Sequence, residues 1–174
     1  MPSAHDRKTP RHDRRVTKWM RLREADLDSL LALQALYYRE DGYSFDRRAA
    51  RRAWRRLLDD AMLGHGWSAR SGADVVGYLV LTFGYSLEYR GRDAFIDELY
   101  IAPAFRGRGL GRQALRLADQ ACRRLGVRAL HLEVEAGKAA ARALYARSGF
   151  ADRRRRLMTK TFGAPSSAQD RHAS

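Results

Sequence analysis

The six residues Arg106-Gly107-Arg108-Gly109-Leu110-Gly111 carry the clearest chemical signal in this 174-residue sequence. They follow a strand-like run ending at Ala102-Pro103 and open a helical one. Glycines remove side chains where a backbone must approach a ligand closely. A helix start points unbonded N–H groups outward and adds the positive end of the helix dipole. Together these features make a seat for a pyrophosphate, and Arg106, Arg108 and Arg112 add formal charge around it. Two other phosphate loops do not fit. A Walker loop needs Gly-Lys-Ser/Thr, and Gly111-Arg112-Gln113 is not that. A dinucleotide fingerprint needs G-x-G-x-x-G in an early βαβ unit, whereas these glycines stand at 107, 109 and 111, late in the chain.

Other residue types that can do chemistry are fewer. Asp97 and Glu98 are adjacent on one strand, so regular pleating aims them at opposite faces. Tyr145 lies on a short helical segment. Cys122 lies beside the apolar stripe of its helix and reads as packing rather than as a nucleophile. The histidines at 5, 12, 65, 131 and 172 show no metal-ligand spacing, so no metal site is expected.

The elements that must position these groups follow from periodicity. Val16 to Arg23 alternates loosely and opens a sheet, and Asp26 to Arg39 has helical apolar spacing, stopped at Gly42. A second helix, capped by Ser44 or Asp46, puts Trp54 and Leu57 on one face. Its other face carries Arg47, Arg48, Arg51, Arg52, Arg55 and Arg56, a solvated face. Strands Gly66–Arg70 and Val75–Tyr85 flank a turn at Ser71–Asp74, and a loop through Glu88–Asp93 leads to strand Ala94–Ile101. Then Leu110, Ala114, Leu117, Ala118, Ala121 and Leu125 line one helix face ending at Gly126. Strand Ala129–Glu135, helix Ala139–Arg147 and a last strand Arg153–Phe162 complete the order β-α-α-β-β-β-α-β-α-β. That order implies an α/β (α+β) domain over residues 16–162, a mixed sheet of six to seven strands flanked by four helices. Residues 1–15 read as a disordered basic arm and 163–174 as a disordered tail.

In this context the sequence resembles the GNAT family of acetyltransferases. Four segments in family order carry the resemblance: Phe95–Pro103 as a splayed strand, RGRGLG as the pyrophosphate loop, His131–Val134 as the next strand, and Ala143–Phe150 as the Leu-Tyr…Gly-Phe ending. The resemblance implies acetyl-CoA as co-substrate. Backbone groups of Leu99, Tyr100 and Ile101 would pair with the pantetheine amides as an added strand. Amides of Gly107, Arg108, Gly109, Leu110, Gly111 and Arg112 would hold the pyrophosphate, with Arg106 beside them. Tyr145 matches the tyrosine that protonates the departing thiolate or hydrogen-bonds its sulfur. Lys138 stands where the family usually has Asn, and it can reach a phosphate but cannot accept a hydrogen bond.

An ammonium must lose a proton before its nitrogen attacks a thioester. Relatives place a catalytic carboxylate at positions matching Phe95 or Asp97, so Asp97 is the first expectation for the base. Glu98 would face helix or core and pair with an arginine, and water alone is the third option. The resemblance places the acceptor site at the connection of the first two helices, where Tyr38, Glu40 and Asp41 suit a cationic, partly apolar amine. Tyr85 and Asp97 are expected in the same cleft.

Composition sets the outer limits. The chain has 34 Lys+Arg against 20 Asp+Glu, a formal +14, and arginines spread over every segment argue against a specific nucleic-acid site. One cysteine, no signal-like N-terminus and no apolar run long enough to span a bilayer point to a cytoplasmic protein. A homodimer through the sheet or the last strand is ordinary for the family. The leading expectation is acetyl transfer to a small amine such as a polyamine, amino-sugar or amino acid. Acetylation of a protein N-terminus or lysine, or a non-catalytic acetyl-CoA- or nucleic-acid-binding module, are the competing readings.

Overall fold

The structure, a computed structural model, describes residues 17–162. The arm at 1–15 and the tail at 163–174 therefore lie outside the described residues. Within them the chain runs β1 (Thr17–Arg21), α1 (Leu27–Glu40), α2 (Arg47–Asp59), β2 (Gly64–Ser71), β3 (Asp74–Ser86), β4 (Gly91–Ile101), α3 (Leu110–Arg124), β5 (Ala129–Leu132) and α4 (Ala139–Arg147). One sheet has the order β1-β2-β3-β4-β5, antiparallel through β4, with β5 parallel to β4. Helix α3 makes that last crossover, as a parallel pair requires.

Alternation along the strands builds a core on each side of the sheet. Trp67, Leu79, Leu81, Ala94 and Ile96 pack against Ala114, Leu115, Ala118, Ala121 and Cys122 of α3. On the other side Tyr78, Val80 and Tyr100 pack under Leu27, Leu30, Leu31 and Leu33 of α1 and Trp54 of α2. Helix α2 is capped by Asp46, whose carboxylate accepts from the amides of Arg48 and Ala49. Its arginine face is partly tied back, with Arg47 and Arg51 on Asp28 and Arg55 on Glu24. Beneath it a deeply buried Asp26 accepts from Arg70 and from the Arg23 amide, fixing the β1–α1 corner to β2.

Three expectations are corrected. Among the described residues the sheet has five strands, because Arg153–Phe162 is irregular and exposed rather than a strand. Four consecutive arginines open that segment and no strand pairs with it among the described residues, so its alternation has no face to bury. Strand β5 ends at Leu132 rather than Glu135. On α3 the inward leucine is Leu115, while Leu117 is only partly buried, since the apolar stripe is rotated toward Ala114 and Ala118.

Candidate active site

Strand β4 pairs with β3 along its whole length but with β5 only from Asp93 to Ile96. Beyond Ile96 the two parallel strands part, because β5 stops at Leu132 while β4 continues to Ile101. Among the described residues, the backbone N–H and C=O groups of Asp97 to Ile101 that face β5 are thus left without a strand partner, an edge on which an extended ligand can add. The glycine-rich loop closes one end of this gap. Gly107 (φ 74°) and Gly109 (φ 79°) take left-handed conformations that other residues resist, and a Cβ at either would meet nothing within 4 Å. Gly109 precedes α3 without a side-chain cap, and amides 107 to 112 donate to no carbonyl in the turn. Leu110 is buried and anchors the turn. Gly111 does something different: a Cβ there would lie 2.9 Å from Leu144 Cδ2, so its absence lets α4 approach α3. Backbone edge, open glycine turn and uncapped helix start fit a cofactor with a strand-like amide arm and a pyrophosphate.

The arginines around the turn have partners of their own. Arg106 Nε donates to the Ile101 carbonyl at 2.8 Å, and its Nη2 donates to Glu40 Oε2 at 2.7 Å. Arg108 donates to the Ala104 carbonyl at 2.9 Å and stacks over Phe105. Arg112 lines a groove between α3 and α4 of about 550 Å³, together with Leu115, Arg116, Leu144 and Arg147.

Tyr145 is partly buried against the α3-side core, edge-on to Phe150 with ring centroids 5.9 Å apart. Burial raises its pKa, which keeps the phenol protonated at neutral pH.

The two adjacent carboxylates do not sit as regular pleating predicts. The β3–β4 register jumps from Leu81↔Ile96 to Val80↔Glu98, so Asp97 is the extra residue of a β-bulge. Ile96 and Leu99 serve the α3-side core, while Glu98 and Tyr100 turn to the α1 side. Asp97 is exposed in the cleft, and its charge acts on both Tyr38 and Glu98. Both carboxylates therefore work on the α1 side of the sheet, and the opposite-face expectation fails because of the bulge. Crowding by the cleft walls raises the pKa of Asp97.

Among the described residues Glu98 pairs with no arginine. It accepts from Gln34 Nε2 at 2.9 and 3.1 Å, from the Tyr38 hydroxyl at 3.1 Å and from the Tyr78 hydroxyl at 2.7 Å. Trp54 Nε1 donates to Gln34 Oε1 at 2.8 Å and so fixes which end of that amide faces the carboxylate. Burial raises the Glu98 pKa, and the charge of Asp97 adds to this. The three donors pull the other way without reversing it.

The expected acceptor residues are distributed unevenly. Tyr38 touches Glu98 and is edge-on to Tyr43 and Phe45. Glu40 accepts from the Tyr100 hydroxyl at 2.7 Å as well as from Arg106, and these bonds outweigh its desolvation and lower its pKa. Asp41 is paired with Lys138, 2.6 Å away. Tyr85 is exposed opposite Arg92, about 16 Å along β4 from Asp97 at strand spacing, so the structure does not bring these two together.

Periodicity overlooked one group. Asp93, Phe95 and His131, with Thr82 and Gly84, line a hollow of about 230 Å³. Phe95 stacks with His131, and Asp93 lies 3.6 Å from His131 Nε2. A Cβ at Gly84 would stand 2.6 Å from Asp93 Oδ1, so a larger residue there would turn that carboxylate from its present position. The usable signal was positions 93, 95 and 97 in alternation on β4. Cys122 is buried and its thiol is pushed up to about 11, which makes it inert. Among the described residues no cluster of His, Cys, Asp and Glu is arranged to hold a metal, and no helix is long and apolar enough to cross a membrane.

Comparison with known proteins gives a consistent picture. The uncharacterized N-acetyltransferase YycN of Bacillus subtilis (strain 168) is 38% identical over 87 residues, covering 49% of this chain and 54% of that protein. The match thus spans about half the length of this curated relative. The integron cassette protein HFX_CASS3, from the mobile metagenome of Cole Harbour Salt Marsh, has a solved structure that superposes with a TM-score of 0.77. It is 36% identical over 86% of this chain and 93% of its own. AAC(6')-Iy, an aminoglycoside N-acetyltransferase solved with the bisubstrate analogue CoA-S-monomethyl-acetylneamine, shares the fold. Its TM-score is 0.73 at 12% identity, over 85% of this chain and 99% of that one. The acetyltransferase (GNAT) family model matches residues 27–150, most of the chain, and takes in the glycine turn, the parted strands and Tyr145. The chain belongs to the GNAT family.

Proposed function

We propose that this protein transfers the acetyl group of acetyl-CoA to a primary amine, by direct attack within a ternary complex. The single observation that carries this reading is the parting of β4 and β5 beside an open glycine turn. The thioester supplies an acyl group already activated for attack. The free edge of Leu99, Tyr100 and Ile101 would hold the amide arm, amides 107 to 112 the pyrophosphate, and the Arg112–Arg116–Arg147 groove the nucleotide end. Leu99, Tyr100 and Ile101 thereby orient the reacting end toward the bulge.

Asp97 is the base of this proposal. It stands exposed at the bulge with a raised pKa, and takes a proton from the attacking ammonium directly or through water. The N–C bond forms as the C–S bond breaks, and Tyr145 gives its proton to the departing sulfur. The ammonium nitrogen loses two protons in becoming an amide: one passes through Asp97 to solvent before attack, and one afterwards restores the Tyr145 phenol through water. The products are the amide, the thiol and one released proton. Glu98, held by three donors, positions Tyr38 and the β4 bulge and does not take part in transfer. The hollow formed by Asp93, Phe95 and His131, one alternation along β4 from Asp97, combines a carboxylate with aromatic faces and fits a small cationic amine. An amino-sugar is one such amine, in line with the aminoglycoside-linked analogue bound by AAC(6')-Iy. The single buried cysteine suits a cytoplasmic setting.

The test is coenzyme A release with acetyl-CoA and a panel of aminoglycosides, polyamines and amino acids, for wild type and Asp97→Asn. Turnover of at least one amine is expected, with kcat falling about 10²-fold in the variant. Acetyl-CoA binding without turnover of any amine would leave a non-catalytic module and defeat the proposal.

A further inference from the structure

Helix α2 carries six arginines between Arg47 and Arg56 and a single acid, Asp59. Packing divides these arginines into two rows, each at i, i+4, i+8 spacing. In one row Arg47 and Arg51 bind Asp28 of α1, and Arg55 binds Glu24 just before α1, with Nε 2.9 Å from Oε1. The other row is Arg48, Arg52 and Arg56. All three are exposed, and among the described residues none of them forms an ion pair, Asp59 included. The charge of Asp46 reaches Arg48 and Arg52 only through space, because its carboxylate is taken by the cap amides.

The division follows from helix geometry. At 3.6 residues per turn, the buried Trp54 lies on the face opposite Arg52. The paired row runs along the flank toward α1, and the free row stands on the crest, beyond the reach of Asp28 and Glu24. Successive members of the row are about 6 Å apart along the axis, and the whole row is about 12 Å long. A helix locked to α1 by its flank thus presents three guanidinium groups in a line.

The chemistry of that line selects its partner. No large apolar side chain of α2 is exposed, so the helix has nothing to insert into a lipid surface. A nucleic acid strand carries evenly repeated charge, one phosphate per about 3.4 Å of helix axis. A guanidinium group bonds two phosphate oxygens at once. Arginines spread over every segment argue against a sequence-specific site, but a backbone site reads no sequence.

We propose that the row of Arg48, Arg52 and Arg56 is a sequence-independent docking surface for the phosphodiester backbone of a nucleic acid. The inference is independent of the acetyl-transfer reading, and its test uses no acetyl-CoA.

The full chain is titrated into fluorescein-labelled RNA and DNA duplexes of one sequence, and anisotropy is followed over a series of salt concentrations. One variant combines Arg48→Gln, Arg52→Gln and Arg56→Gln. A control combines Arg123→Gln, Arg124→Gln and Arg128→Gln, which are also exposed, so each variant removes three charges from the formal +14. The α2 variant is expected to bind about ten-fold more weakly at low salt, and its slope of log affinity against log salt to fall by about 2–3. The control should keep the wild-type slope. Dependence on the row with either duplex supports the proposal and tells which backbone is preferred. Equal losses in the two variants mean a general positive field and overturn it. Absence of salt-dependent binding overturns it too, as does an equal dependence on the row for polyglutamate or phosphatidylglycerol vesicles. A second measurement needs no substitution: wild type is treated with phenylglyoxal, with and without the duplex, and modified arginines are counted by peptide mass. The duplex should protect Arg48, Arg52 and Arg56 more than Arg123 and Arg124, and equal protection refutes the docking row.

Discussion

Replacing Glu98 by Gln tests whether burial or hydrogen bonding governs the centre of this structure. The carboxylate is enclosed by Gln34, Tyr38 and Tyr78, and Tyr78 is itself fully buried. Three donors favour the ionised form, while desolvation and the neighbouring Asp97 disfavour it, and the net effect raises the pKa. A carboxyl whose pKa is higher folded than unfolded binds more protons in the folded state, so its ionisation subtracts stability. That loss begins as pH rises through the ordinary glutamate range near 4.5. It is complete above the folded pKa, at about 1.4 kcal/mol for each pH unit of difference. The Glu98→Gln variant has no charge to desolvate and escapes this loss. Its new side chain keeps an acceptor oxygen for Gln34, whose orientation Trp54 fixes, and its amide can donate to the Tyr78 hydroxyl. Glu98→Gln is therefore expected to match wild type near pH 4 and to be the more stable protein at pH 7. Glu98→Ala should behave oppositely. It strands the Tyr78 hydroxyl and the Gln34 amide, at about 1–3 kcal/mol each before relaxation, for a net loss of about 2–4 kcal/mol. Urea unfolding at half-unit steps from pH 4 to 8 measures all three. A wild type that gains stability over Glu98→Gln with rising pH would refute the reasoning, because it would mean that the donors outweigh burial.

Further outcomes follow from the same contacts. Tyr145→Phe should leave stability and coenzyme A affinity nearly unchanged, because the ring packing remains. It should lower kcat about 10²-fold and remove the alkaline limb of the pH–rate profile if the phenol is the acid. Gly109→Ala should cost about 1–2 kcal/mol in unfolding experiments through its left-handed backbone, and weaken coenzyme A binding. Gly126→Ala, with φ 66° at the far end of α3, should cost the same and leave affinity intact. Asp26→Ala should destabilise by about 2–4 kcal/mol in thermal or urea unfolding, since it leaves the half-buried Arg70 without its buried counter-charge.

Much of this was readable without coordinates, wherever a property is local. The glycine turn, the change of period from 2 to 3.6 after it, and the breaks at Gly42, Gly126 and Gly149 follow from backbone preferences that each short segment carries by itself. The alternation of β4 and the stripe of α3 placed the core on both sides of the sheet for the same reason. The turn's meaning also came early, because its flanks belong together in one family pattern. Periodicity failed where partners distant in sequence decide. Arg153–Phe162 has strand-like composition, but a strand needs a neighbour, and none pairs with it among the described residues. Asp97 and Glu98 share a side because one extra residue enters β4 opposite Val80 and Leu81, and a bulge leaves no mark on local alternation. The ties from Glu98 to Gln34, from Asp41 to Lys138 and from Glu40 to Arg106 join residues at least 64 positions apart. Sequence could say that carboxylates and cations were present. Only the packing of α1 across the parted strands decided which cation each carboxylate holds, since ion pairing depends on distance and burial rather than on residue type.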